Sequence, residues 1–409
     1  IFGVFLSIFN SLPGPVPTME NMIPRTLTGR IQHFLERYPI VTVTGPRQSG
    51  KLTLLRHLYK EYEIVSLEDP DVLTRVREDP RLFLRQHPEL TIIDEAQRFP
   101  ELFSFMQSHI DWSGKDGMYI LTGSHNILLI EGISQSLAGR TAILRLLPLS
   151  IQEIRSWREA RNDAPLEYES HIIKGGYPRV HDKNLEPEDY YPFYIKTFVE
   201  RDIRLIRNVS DLHLFHRFLK LCAGRIGQLV NASSLANDCG ITQPTARQWL
   251  SLLEESYIVH LLRPYHRHYN KQVVKTPKLY FHDTGLACSL LGIKRAESVL
   301  THYLGGALFE NMVVSEALKS AWNRGEEEAM WFWRDHSGNE VDLIMESDGD
   351  VSAIEIRSGA TYLPEMFRGV EFWQRVTGTP KSACRVIYGG NVSMETARGT
   401  LQSWRDMAF

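Results

Sequence analysis

Gly45 and Gly50 enclose four residues, and Lys51 follows at once, in the stretch TVTGPRQSGKLTLL from Thr42 to Leu55. Glycines at this spacing let backbone N–H groups turn inward around an anion. A helix that starts at the lysine aims the positive end of its dipole at the same point. A lysine placed there reaches the terminal phosphates of a nucleotide. The chemistry this predicts is the gripping of a triphosphate by Gly45, Pro46, Arg47, Gln48, Ser49, Gly50, Lys51, Leu52 and Thr53, with ATP and Mg2+ as the expected ligands.

A second element supports the first. The apolar run LTIID ends in Asp94 and is followed by Glu95. At the carboxyl edge of a parallel sheet, Asp94 would hold Mg2+ through water and Glu95 would orient or deprotonate the attacking water. A third run, YILTGS, ends in small polar residues, of which Ser124 or Thr122 could sense the terminal phosphate. Arg140, in SLAGRTAI, is a candidate for stabilising transition-state charge, in its own chain or in a neighbouring subunit; a solvated surface role is the competing reading. Lys51, Glu95 and Arg140 are thus the expected catalytic group.

One residue departs from the pattern. The position directly after Lys51, where a hydroxyl would ligate the metal, is Leu52. Thr53 is the nearest alcohol, but on a helix it is turned by roughly 100° from that position. Binding is expected to survive through the backbone and Lys51, and turnover to suffer. A relaxed first turn that swings Thr53 inward toward the metal is the alternative.

A separate constellation lies toward the C-terminus. Glu310 falls on a helical stretch, Asp342 on one apolar run, and Glu355 two residues before Arg357 on the next. Strand alternation places 355 and 357 on one face, so an acid from the helix and two from the strands would converge with Arg357. This is the layout of a restriction-endonuclease-like fold, which would bind one or two divalent metals for phosphodiester hydrolysis. Arg357 stands where a lysine is usual; it can stabilise charge but cannot yield a proton to activate water.

These residues need elements to position them. The 409 residues suggest two or three domains, and 43% apolar with 23% charged residues is ordinary for a globular chain. A net charge of −3 excludes a globally basic coat, though not a basic face. Four scattered cysteines argue against a zinc site or a disulfide scaffold and favour a reducing cytoplasmic setting. Residues 1–22 read as an upstream or disordered tail, too short in apolar length to span a bilayer, with a weak membrane-surface anchor as the minority alternative.

Strand–helix alternation across 23–155 predicts a parallel sheet flanked by helices. A helical lid or linker is expected at 156–210. Residues 211–277 carry eight Lys and Arg against four Asp and Glu and read as helix, turn at Gly240, helix, strand. That is a winged-helix layout, in which Arg247, Arg263, Arg267, Lys271 and Lys275 could meet a DNA backbone; lid or protein-contact roles are the alternative. Residues 278–409 are expected to form the mixed α/β nuclease-like domain.

The chain resembles the bacterial and archaeal AAA+-type ATP-binding proteins that carry a C-terminal domain of unknown function. The resemblance rests on GPRQSGK, SLEDPD, IIDEAQRFPELF, YILTGSHN, SLAGRTAILRLLPLSIQEI, GGYP, FVERDIR, KLYFHDTGLACSLLG, LFENMVVSEALK, NEVDLIM and AIEIRSG, and spans about Arg25 to beyond Gly359. It implies nucleotide binding at 45–53 and a Walker B pair at Asp94 and Glu95, with Thr as the usual residue at position 52. The leading expectation is a cytosolic AAA+-like ATP-binding protein and Mg2+-dependent ATPase that couples its nucleotide state to the winged-helix and nuclease-like domains, with self-association into a homo-oligomer as one arrangement. The rivals are an ATP-regulated, metal-dependent DNA nuclease and a non-catalytic nucleotide-gated adaptor.

Overall fold

The computed structural model describes residues 22–124, 129, 133, 135–197, 211–266 and 274–409. Residues 1–21 of the tail expected over 1–22, the FVERDIR stretch beyond Thr197, and Arg267 and Lys271 lie outside the described residues.

Five short apolar runs form the first sheet: β1 (Ile40–Thr44), β2 (Glu63–Ser66), β3 (Thr91–Asp94), β4 (Tyr119–Gly123) and β5 (Thr141–Arg145). All pair in parallel, in the order β2-β3-β4-β1-β5. Helices cover both faces, so β1, β3 and β4 are buried along their whole length, as central parallel strands are. The buried threonines of β1 find partners: Thr42 Oγ1 lies 3.0 Å from the Thr141 hydroxyl, and Thr44 Oγ1 2.7 Å from the Tyr257 hydroxyl. The register sets Thr44 beside Gly123 and Arg145, so the ends of β1, β4 and β5 stand level.

Helices at Ile151–Ala160, Tyr168–Lys174, Pro187–Thr197 and Leu212–Ala223 follow. Helix Ala232–Cys239 ends in left-handed Gly240, and helix Gln243–Glu255, with Thr242 as its cap, leads into β6 (Val259–Leu262). β7 (Lys278–Phe281) pairs antiparallel with β6. The domain boundary expected at 277/278 therefore falls inside this ribbon: the residues after 277 complete the pairing of the residues before it.

The helix Gly305–Asn323 is buried on nearly every side, because it is sandwiched between the helical layer and a second sheet. That sheet contains β8 (Met330–Arg334), β9 (Glu340–Ser347), β10 (Asp350–Arg357), β11 (Cys384–Tyr388), β12 (Met394–Thr396) and β13 (Gly399–Ser403), in the order β12-β13-β11-β10-β9-β8. It is mixed, with β10-β11 and β11-β13 parallel and the other pairs antiparallel. One hydrophobic core runs from Tyr168 and Phe215 through Leu253 and Phe281 to Phe309, Leu343 and Trp404. The expected lid, helix-turn-helix and C-terminal segments thus share an interior.

Candidate functional site

The loop after β1 has the backbone that the glycines suggest. Gly45 sits at φ +145°, and a Cβ there would lie 2.2 Å from the Leu146 carbonyl oxygen; Gly50 sits at φ +93°. No side chain fits at position 45 without displacing β5's continuation. Arg25 braces the loop from beneath. Its guanidinium donates to the carbonyls of Ser49 (2.8 Å) and Leu147 (2.5 Å) and to Glu153 (3.3 Å). Tyr190 donates to Gln48 Oε1 at 2.7 Å from the helical layer. Neither Arg25 nor Tyr190 carries a local sequence signal, since each meets the loop only through the fold.

Lys51 opens helix Lys51–Leu58 and curls back, its ammonium donating to the carbonyls of Gly45 (2.8 Å) and Pro46 (2.9 Å). The cation thus occupies the loop's own concavity. Beside it lies a cleft of about 370 Å3, lined by loop residues, Leu52, Thr53, Asp94, Glu95 and Thr197.

β3 delivers the acids. Asp94 Oδ1 accepts from Thr122 (2.5 Å) and Oδ2 from Ser66 (3.2 Å). Burial raises its pKa, with Glu95 adding to this and the two hydroxyls opposing. Glu95 turns out of the strand at φ 53°, a left-handed conformation uncommon outside glycine. Its Oε2 accepts from Ser124 (3.0 Å) and from Gln97. Burial acts to raise the Glu95 carboxyl, but the charges of Lys51 and Arg47 and the two hydrogen bonds prevail and hold it below the usual range. Thr122 and Ser124, of which one or the other is expected to sense the terminal phosphate, donate their hydroxyls to Asp94 and Glu95 respectively.

Leu52 and Thr53 both line the cleft; Leu52 is half-buried against the core under β1, and Thr53 is exposed. Arg140 is a correction. Its carbonyl accepts from Ile40, the first residue of β1, so it stands at the amino edge of the sheet, about 13 Å of strand from the loop. Its guanidinium grips Asp111 at 2.6 and 2.8 Å. A residue preceding one parallel strand cannot share an edge with a loop following another, so Arg140 does not serve its own chain's site.

Glu310, Asp342, Glu355 and Arg357 do converge. Arg357 binds Asp342 (3.2 Å) and Glu355. Three further residues join them: Lys278, Tyr280 and Glu340. Lys278 contacts Glu310 (2.9 Å), Glu340 and Asp342 (3.8 Å), and Tyr280 donates to Glu310 at 2.5 Å. Burial works against the Lys278 charge, but the surrounding Glu310, Tyr280, Asp342 and Glu340 hold its pKa above the usual value; burial raises Glu310 and Glu355. Among the described residues no group of three His, Cys, Asp or Glu side chains is spaced to hold a metal ion. The expected centre of one or two divalent metals does not fit this cluster, because the protein's own cations occupy it.

A chain of contacts runs from just beyond β7 toward the phosphate loop. Asp283, directly beyond His282 after β7, accepts from Gly176 N (2.6 Å) and caps the next helix through Leu286 N (2.9 Å). Gly176 donates no further; its carbonyl accepts from Leu149 N, beyond β5. Two residues on, Pro178 lies 3.7 Å from the Cβ position of Gly50.

A parallel sheet with a phosphate loop and an acid pair at one edge defines a P-loop protein of the AAA type. Residues 37–155 match the family described as AAA domain, residues 166–297 a domain of unknown function (DUF8612), and residues 305–405 a domain of unknown function (DUF4143). The chain is 30% identical over 379 residues to the uncharacterized proteins Rv2008c of Mycobacterium tuberculosis and Mb2031c of Mycobacterium bovis, covering 88% of this chain and 82% of each relative. It belongs to their family. An uncharacterized protein of Haemophilus influenzae is 28% identical over 218 residues, covering 50% of this chain and 52% of that protein. Among solved structures, the Walker-type ATPase PABY2304 of Pyrococcus abyssi aligns with a TM-score of 0.46 at 16% identity, over 67% of this chain and 97% of that one. AMPPCP-bound DnaA from Aquifex aeolicus aligns with a TM-score of 0.31 at 12% identity, over 56% and 86%. No described helix is long and apolar enough to cross a membrane.

Proposed function

We propose that this chain binds ATP at the Gly45–Lys51 loop and hydrolyses it slowly in the presence of Mg2+. The observation that carries the reading is the placement of the loop, its lysine and the Asp94–Glu95 pair around one cleft. Lys51 would leave the Gly45 and Pro46 carbonyls for the terminal phosphates. Glu95, kept ionised by Lys51 and Arg47 and oriented by Ser124 and Gln97, would hold the attacking water. When bound, Mg2+ would neutralise charge on the terminal phosphates. Asp94 would hold it through water, and Leu52 supplies no oxygen to it.

Nucleotide occupancy would be felt beyond the cleft through Pro178, Gly176 and Asp283. We read helices Ala232–Cys239 and Gln243–Glu255 with β6 and β7 as a winged helix. Its exposed Arg247, Arg263 and Lys275 would meet a phosphate backbone on one face. Four free, buried cysteines support a reducing cytoplasmic setting. Arg140 remains a candidate only toward a neighbouring subunit of a homo-oligomer.

Calorimetry with ATP, and Mg2+-dependent phosphate release, test the proposal on the wild type and Lys51→Ala. Binding weakened at least tenfold by Lys51→Ala is expected. A flat titration of folded wild-type protein would overturn it.

A further inference from the structure

The acid cluster beside the second sheet raises a separate question, independent of the nucleotide reading: what neutralises it? Glu310 comes from the helix Gly305–Asn323, Glu340 and Asp342 from β9, and Glu355 from β10. Asp342 and Glu355 are 5% and 2% exposed, so water cannot screen them well. Carboxylates gathered in this way require a cation, a proton, or both.

The cation is contributed by a different element. Lys278 begins β7, which pairs with β6 and is not a strand of the second sheet. Its side chain is 3% exposed, and its ammonium lies 2.9 Å from Glu310 and 3.8 Å from Asp342 and also bonds Glu340. It therefore sits as a bridging cation among carboxylates of two different elements, the helix Gly305–Asn323 and β9. The contacts are those of an ammonium, since the Glu310 distance is typical of a charge-assisted hydrogen bond and too long for a Mg–O bond of about 2.1 Å. Arg357 closes a second side through Asp342 and Glu355.

One polar atom remains without a partner. Glu355 Oε2 is buried and accepts no hydrogen bond, and it lies so near Gly369 that a Cβ there would be 2.2 Å away. Tyr280 meanwhile donates to the same Glu310 oxygen that Lys278 contacts. The cluster is thus an oxygen-rich nest whose central place is filled by a covalently attached cation.

We propose that Lys278 is a built-in substitute for a divalent metal, and that the cluster excludes metal ions for as long as β7 holds this lysine in place. The carboxylates of Glu310, Glu340 and Asp342 stand around the ammonium rather than at metal spacing, and Arg357 closes the Asp342–Glu355 side. An ion therefore enters only if Lys278 is removed and the carboxylates draw together. Replacing Lys278 by a neutral side chain opens the site. Replacing it by arginine keeps it closed.

The experiment is Mn2+ binding to the full chain without nucleotide, read by electron paramagnetic resonance, with Asp342→Asn as the control specific to the cluster. The wild type and Asp342→Asn should bind Mn2+ equally, because any ion they take up sits elsewhere. Lys278→Met should bind one additional Mn2+ at least tenfold more tightly than the wild type. Lys278→Met/Asp342→Asn should lose it, and Lys278→Arg should not gain it. Mn2+ should raise the melting temperature of Lys278→Met and leave that of the wild type unchanged. Asp342-dependent Mn2+ binding by the wild type overturns the proposal, as does a folded Lys278→Met that binds no additional ion. Should Lys278→Met fold only with Mn2+ present, that dependence supports the proposal, and the wild-type comparison with Asp342→Asn still decides it alone.

Discussion

Lys278 and Asp283 stand at the start of β7 and just past its end, and they bind in different places: the ammonium enters the acid cluster, and the carboxylate accepts Gly176 N at 2.6 Å, beside the phosphate loop. Each oxygen of Asp283 takes one N–H, from Leu286 and from Gly176. Asparagine has a single acceptor and would turn an amide toward the other N–H. Asp283→Asn should therefore cost about 1–3 kcal/mol, as a buried unsatisfied donor does. It should also weaken ATP binding, because the turn that carries Pro178 to Gly50 loses its anchor. Denaturant unfolding with calorimetry checks both; full stability with unchanged affinity would refute the link.

Leu52 marks the point where the cleft lacks a metal-ligating alcohol. Leu52→Thr should raise the Mg2+-dependent rate of ATP hydrolysis at least tenfold and change nucleotide affinity only a few-fold. In the proposed reading the affinity would rest on the backbone and Lys51, and turnover on the metal. Steady-state phosphate release against calorimetric affinity separates the two, and an unchanged rate would show that Thr53 or water already completes the metal shell.

Arg25 braces the loop from outside it. Its guanidinium is buried against Glu153 and two loop-side carbonyls, so Arg25→Met leaves Glu153 charged and short of a partner. Removing one member of a buried pair costs about 3–5 kcal/mol. A melting temperature lowered by several degrees, with nucleotide affinity reduced alongside, is the expected result. A shift within error would mean that Glu153 is held well enough by Thr26 N and Ser150 N.

His260 predicts a pH effect. Burial pushes its pKa down to about 4, with the charge of Arg263 acting in the same direction. The unfolded histidine titrates near 6.5. Its contribution to stability is therefore complete above about pH 6.5 and is lost as pH falls toward 4, at about 1.4 kcal/mol per pH unit. Carboxylates raised by burial, such as Asp283, act in the opposite sense, so the comparison must be between two proteins. Relative to the wild type, His260→Phe should gain on the order of 2 kcal/mol between pH 6.5 and 4.5. A stability gap that is flat with pH would contradict a neutral, buried imidazole.

The loop and the five parallel strands were legible because their signals are local: glycine spacing, a lysine at a helix start, apolar runs ending in small or acidic residues. Asp94, Glu95 and Lys51 follow from that grammar. Arg140 misled because its motif gives no edge of the sheet; only the register, with Arg140 preceding β5, places it away from the loop. Lys278 and Arg25 were hidden for a different reason. Each acts on residues far along the chain, and a lone cation before an apolar segment has no spacing that names its partner. The convergence of Glu310, Asp342 and Glu355 was foreseen from strand alternation, but the cation among them depends on how β7 packs against another sheet.

Thr44 and Tyr257 share a hydroxyl contact across 213 residues, and Thr44 is the last residue of β1 before Gly45. Tyr257 lies between helix Gln243–Glu255 and β6. The contact ties that segment to a residue one peptide bond from the Gly45 loop. If the proposed triphosphate binding holds, stiffening or loosening of that remote segment would change the cradle's grip through this one contact.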